Sequence, residues 1–283
     1  MRRAVACVLV LLGGMIAGCS LDQDKPKGAG VMNDSLVRQD VLAIQDQRIF
    51  FGHQSVGDNI VQGMRDILQD NPDVAISIIP YTDSTSIPKY FFAETHIGEN
   101  TRPDLKCSDF TRKVEVNFGG RLDVALMKLC FVDITKDTDV DGVFSEYIQM
   151  MDSLKSRHPS VIFVHVTVPL MAKTGCLKKM YRAIRGRPDN YVLENIKRTG
   201  FNRKLQEYYS GDPIFDLAAV ESTHPDGRRE DFEEGGAKYS NLLKEYTTDD
   251  GHLNRYASRL AARELIRVIA AAVRGKHAPG TPP

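Results

Sequence analysis

The chain has no excess of charge of either sign: 37 Lys and Arg stand against 37 Asp and Glu in 283 residues. A nucleic-acid partner needs a basic surface, so that class of ligand is not expected. Cysteine is scarce, at five residues, and no Cys-x-x-Cys or Cys/His spacing of the kind that builds a structural zinc centre occurs. No metal and no organic cofactor are expected. The chain has no repeat and no low-complexity block. The one extended apolar run, from Ala4 to about Ile16, is too short and wrongly flanked for a spanning helix.

What the sequence does contain begins with that run. Arg2 and Arg3 precede it, and small residues lead from it to Cys19, which is the layout of a secretory signal. The segment "IAGC" resembles a bacterial lipobox, and the resemblance implies that residues 1–18 are removed and Cys19 is lipidated. A plain cleaved signal with Cys19 as an ordinary thiol is the alternative. Ser20 follows Cys19 rather than Asp, so by analogy with Gram-negative sorting the expected location is the outer membrane, facing the periplasm. Removal of residues 1–18 takes away two arginines and no acid, leaving 35 bases against 37 acids, or −2. Residues 19–47 are expected as a lipidated, flexible tether, 48–274 as one α/β domain, and 275–283 as a disordered Pro/Gly tail. Cys107, Cys130 and Cys176 remain. Cys130 lies in an apolar run and reads as a buried thiol, whereas Cys107 and Cys176 lie in polar surroundings and could pair.

Five short apolar runs predict strands: 48–52, 74–80, 122–129, 160–168 and 213–220. Near-continuous apolar runs rich in Val and Ile fit strands buried on both faces, as in a parallel sheet. Stretches with helical spacing separate them, among them Ile60, Met64, Ile67 and Leu68, and at the end Tyr256, Leu260, Leu265, Val268, Ile269 and Ala272. The alternation predicts a three-layer, doubly wound α/β domain on a mostly parallel five-stranded sheet. Ligands of such sheets sit beyond the carboxyl ends of the strands. Ser55, Asp133, Glu221, Asp249 and His252 are all directed toward that rim.

Ser55 follows the run "RIFFGHQ" at the start of helical spacing, where a serine is either a helix N-cap or a displayed nucleophile. A serine hydroxyl needs a base, and the base needs a partner to hold its tautomer. Asp249 and His252, spaced Asp-x-x-His just ahead of the last helix, supply such a pair, with Asp250 an alternative partner. With Ser55 after the first strand and the block "DGHLNRYASRLAA" near the end, the chain resembles the SGNH/GDSL hydrolase superfamily over roughly residues 48–274. The stretches "FGHQSVG", "HIGENTRP", "KLCFVDI", "FDLAAVES" and "DDGHLN" resemble a little-characterised branch of it. The resemblance implies a flavodoxin-like fold, with Ser55 as nucleophile, His252 as base and Asp249 as its partner. It implies an oxyanion hole from the Ser55 N–H, a glycine N–H (Gly98 in "HIGEN") and an asparagine amide. The superfamily's Gly-x-Asn-Asp block is absent after the third strand, and Asn100 is the substitute candidate.

Other residues carry weaker expectations. His53 and Glu221 are candidate substrate contacts, with capping roles as alternatives. His96 reads as a loop residue rather than a ligand, and His165 as a core histidine. Lys128, inside an apolar strand, is expected to pair with Asp133 or Glu221, or to reach outward. The cationic stretch 173–187 reads as a surface insertion. The implied activity is hydrolysis of an ester, chiefly an O-acetyl group on a carbohydrate or cell-envelope polymer, with the protein held on the membrane through Cys19 and expected as a monomer. A non-catalytic glycan-binding lipoprotein and an O-acyltransferase are the alternatives. No long apolar lid segment is visible, which ranks a lipase or thioesterase last.

Overall fold

The computed structural model describes residues 34–82, 86–175, 184 and 190–276. The signal segment, Cys19 and the residues from His277 onward lie outside the described residues. Among the described residues six strands form one parallel sheet: β1 (Arg48–His53), β2 (Ile78–Pro80), β3 (Phe91–His96), β4 (Val124–Met127), β5 (Ile162–Val166) and β6 (Ile214–Phe215). Their order across the sheet is β2-β3-β1-β4-β5-β6, and every neighbouring pair is parallel. The doubly wound, flavodoxin-like expectation is therefore met, with one strand more than the five expected. A separate hairpin pairs β7 (Asp231–Glu234) with β8 (Ala237–Ser240).

The helices are α1 (Asp34–Ile44), α2 (Val56–Asp70), α3 (Pro103–Arg112), α4 (Val140–Arg157), α5 (Tyr191–Tyr208), α6 (Leu217–Ser222) and α7 (Arg255–Lys276). They lie on the two faces of the sheet. Successive side chains of a strand point to opposite faces, and β1 shows the split: Ile49 and Phe51 join α1, α2 and α7 in one core, while Phe50 joins α3, α4 and α5 in the other. This is why β1 reads as a continuous apolar run. No helix among the described residues is long and apolar enough to cross a membrane.

Three expectations need correction. The domain does not begin at residue 48. Val37, Val41 and Ile44 are buried in the core shared with α7, and Arg274 binds Asp40 across the two helices. Residues 34–47 are thus folded and not part of a tether. Of the expected strand 74–80 only Ile78–Pro80 forms one, at the sheet edge, and the strand next to β1 on that side is β3, which was not expected. The apolar run of β3 is brief and ends in Glu94, Thr95 and His96, because its carboxyl end belongs to the rim and not to the core. Finally, 213–220 is a two-residue strand followed directly by α6, which Asp216 caps by accepting the Ala219 N–H at 3.0 Å. Cys107 is a buried free thiol, its pKa pushed up to about 12 by burial. Cys176, with which it could have paired, lies outside the described residues.

Candidate active site

The chain leaves β1 through α2 toward β2 on one side of the sheet, whereas the neighbouring strand β4 sends its chain to β5 on the other. That is the switch point where a doubly wound sheet opens a crevice. Ser55 stands there with φ 56° and ψ −104°, a left-handed conformation that is costly for a residue with a Cβ. Its side chain makes no capping hydrogen bond to α2. The N-cap alternative is therefore rejected. The Ser55 Oγ lies instead 2.5 Å from His252 Nε2.

Helix α7 brings the imidazole across 197 residues. It packs directly on α2, and Gly63 permits the approach, since a Cβ there would stand 2.2 Å from the Ser258 carbonyl oxygen. Arg255 binds Asp66 at 2.7 Å and Arg259 binds Asp70 at 2.6 Å along the same seam. Asn59 of α2 accepts the Leu253 N–H at 3.1 Å, next to the histidine itself. The helix that begins beside Ser55 therefore also fixes the loop that carries His252.

Within that loop His252 Nδ1 donates to Asp249 Oδ2 at 2.6 Å, leaving Nε2 to accept from the serine hydroxyl. Asp249 Oδ1 also accepts the Gly251 and His252 N–H groups at 3.0 and 2.8 Å. Burial opposes ionisation of Asp249, but the hydrogen bonds from the imidazole and these two amides outweigh it and hold the carboxyl well below the usual carboxylate range. Asp250 is not the partner: its buried carboxylate is taken by Lys244. Phe131 closes the other side, edge-on to the imidazole at 5.6 Å. His252 and Asp249 remain 44% and 51% exposed.

The oxyanion candidates fare differently. The Ser55 N–H has no acceptor among the described residues. The Gly98 N–H is already donated to Asp109 Oδ2 at 3.1 Å, which removes Gly98 from the expected set. Its glycine is required for packing, since φ is +50° and a Cβ would meet the Lys106 nitrogen at 2.5 Å. Asn100 is exposed, and its Oδ1 accepts from Lys106 Nζ at 3.1 Å, which leaves its NH2 group available. The loop holding Asn100 is tied to the turn that carries Ser55, because Gln54 donates to the Ile97 and Gly98 carbonyls at 2.9 and 2.8 Å.

Sequence reasoning missed Lys106. It forms a fully buried ion pair with Asp133 at 2.6 Å, and Asp133 also accepts the Cys130 and Thr101 N–H groups. Asp133 is thus committed to Lys106 and not to Lys128. Lys128, also buried, makes a 3.3 Å bond to the Leu129 carbonyl and a 3.5 Å contact with Cys130 Sγ, and no ion pair with Asp133 or Glu221 is formed among the described residues. Both residues expected as substrate contacts are buried. His53 is wholly buried, with Nε2 3.2 Å from Glu94 Oε2 and its ring against Phe51. Glu221 is wholly buried in α6, accepts the Leu170 N–H at 2.6 Å, and has its pKa raised to about 8 by burial. His96 is the last residue of β3 rather than a loop residue. His165 is a core residue, stacked on Tyr209 and bonded to the Tyr147 hydroxyl at 2.9 Å. Most of 173–187 lies outside the described residues.

Fold and site together define a doubly wound α/β protein with a serine–histidine–aspartate constellation at its switch point. No protein-family model matches the chain, and no curated protein matches it. Among solved structures it is similar to a lipase/acylhydrolase from Enterococcus faecalis, with 11% identity, 80% of this chain and 96% of that one covered, and a TM-score of 0.47. It is similar also to a carbohydrate esterase family 3 protein from Talaromyces cellulolyticus, with 10% identity, coverages of 81% and 97%, and a TM-score of 0.45. A Clostridium thermocellum family 3 carbohydrate esterase gives 13%, 82%, 99% and 0.44. At these values the likeness is one of chain course, and the site stands on its own geometry.

Proposed function

We propose that the protein is an SGNH-type serine esterase. The observation that carries this is the unbroken line from Ser55 Oγ to His252 Nε2, at 2.5 Å, and from His252 Nδ1 to Asp249 Oδ2, at 2.6 Å. Ser55 Oγ attacks the ester carbonyl while His252 Nε2 takes its proton. The alcohol leaves with that proton, and water then releases the acyl group from Ser55 by the same route in reverse. The Ser55 N–H and the Asn100 amide stabilise the oxyanion. The substrate proposed is an O-acetyl ester of a carbohydrate or envelope polymer, in keeping with the exposure of the base and with the secretory start of the chain. Acyl transfer to a sugar hydroxyl in place of water is a variant of the same chemistry. Lipidation of Cys19 and an outer-membrane location belong to this reading.

Hydrolysis of p-nitrophenyl acetate and of acetylated glycans is the test. Ser55→Ala and His252→Ala are expected to lose on the order of 10³-fold or more in kcat. Asp249→Asn is expected to lose about 10²–10⁴-fold, and Asn100→Ala about 10²–10³-fold. Equal activity in wild type and the Ser55 and His252 variants sinks the proposal. A second reading, a non-catalytic glycan-binding protein, is favoured by the commitment of the Gly98 N–H to Asp109. Glycan binding that survives Ser55→Ala, without turnover of any ester, would select it.

A further inference from the structure

The last residues of β1 and β3 are partners in register, His53 opposite His96. Residues paired in this way point to the same face of the sheet, and here the first turn of α2 lies against them, bringing Asp58. His96 Nε2 is 2.9 Å from Asp58 Oδ1, and His53 Nδ1 is 3.9 Å from the same oxygen. All three donor atoms lie within 4.8 Å of one another. A point equidistant from atoms so spaced is at most about 2.4 Å from each. Zinc bonds to imidazole nitrogen and carboxylate oxygen run about 2.0–2.2 Å. The half-exposed Asp58 and His96 side chains have the freedom to close that difference.

His53 sets this cluster apart from an ordinary surface ion pair. Its side chain is wholly buried, and Nδ1 has no hydrogen-bond partner among the described residues although it faces the other two groups. A buried polar atom without a partner is costly. Its other nitrogen is held by Glu94, which Arg65 holds in turn. A carboxylate behind an imidazole is the arrangement that orients a metal-bound histidine. Gly57 makes room for it, since a Cβ there would stand 2.3 Å from the His53 ring.

We propose that His53 Nδ1, His96 Nε2 and Asp58 form a site for a divalent transition-metal ion of the zinc class, with a fourth position open to solvent. Two nitrogens and one oxygen suit zinc or cobalt rather than magnesium or calcium. The ion would join β1, β3 and α2 at the turn that carries Ser55, whose carbonyl accepts the Asp58 N–H at 2.8 Å. The site does not depend on the esterase reading.

The test is equilibrium dialysis of untagged full-length protein against micromolar zinc chloride, with metal content measured per chain. Absorption spectra with cobalt chloride and thermal unfolding with and without zinc complete it. Wild type is expected to retain one zinc per chain, to give the visible bands of low-coordinate cobalt, and to unfold at a higher temperature with zinc. His96→Ala and Asp58→Asn, both at exposed positions, are expected to fold and to lose all three signals. His53→Gln is expected to lose them as well. Ser55→Ala and His252→Ala are expected to keep them, whatever their effect on ester hydrolysis. Failure of wild type to retain zinc, equal retention by His96→Ala and Asp58→Asn, or loss in His252→Ala instead, would overturn the assignment.

Discussion

Ser55 concentrates the local physics of the site. A serine at φ 56° costs of order 1–3 kcal/mol relative to relaxed backbone, and it gains no capping bond in return. The conformation aims Oγ at His252. Replacing Ser55 by glycine, which tolerates positive φ, is therefore expected to yield a more stable protein than replacing it by alanine, by roughly 1 kcal/mol, although both lack the hydroxyl. Urea denaturation of the two variants measures the difference; an alanine variant as stable as the glycine one would show that the turn is unstrained. At this scale the sequence was readable where a residue's chemistry and its neighbours agree. Asp-x-x-His marked His252 and its partner Asp249 because three residues suffice to place both on one turn. Gly98 misled because glycine at a rim serves close packing as often as ligand approach, and only the position of Asp109 tells which.

The element that matters most is the α2–α7 pair. Both helices show amphipathic spacing, so their existence and their buried faces follow from periodicity. That they lie against one another, close enough for Gly63 to touch the Ser258 carbonyl, does not. Gly63→Val is expected to force the helices apart. The cost is expected to be at least about 1–3 kcal/mol, as for other overpacked positions, and ester hydrolysis should fall with stability as Ser55 and His252 separate. Unfolding and kinetics together check this; a valine variant with wild-type stability would mean that the seam is loose. Strand β3 escaped the sequence reading for the opposite reason. Its apolar stretch is interrupted by Glu94, Thr95 and His96, polar residues that belong to the rim, so local pattern and tertiary role conflict there.

For the whole molecule, the lipidation proposed at Cys19 would leave less chain between anchor and folded domain than residues 19–47 allowed, because α1 (Asp34–Ile44) packs on α7 through Val37, Val41 and Ile44. Membrane attachment is argued from Cys19 alone. Each methylene of an acyl chain that enters a bilayer contributes about 0.8 kcal/mol, so several chains on one cysteine anchor firmly. Cys19→Ser is expected to move the protein from the membrane fraction to the soluble fraction of cells and to abolish metabolic labelling with a radioactive fatty acid. Unchanged fractionation would remove the anchor from the account.

Length, alternation of apolar runs and the spacing of a few polar residues were enough to determine the layered α/β class, the existence of a parallel sheet, and the identity of the serine, histidine and aspartate that meet. These are local properties, written in periods of two and 3.6 residues or in short motifs. Tertiary structure alone decided which strand flanks β1, that Lys106 rather than Lys128 neutralises Asp133, and that His53, Asp58 and His96 share one small volume. Those outcomes depend on sheet order and on close approach between helices. Both arise from packing between segments far apart in the chain, for which neither periodicity nor short spacing carries a signal.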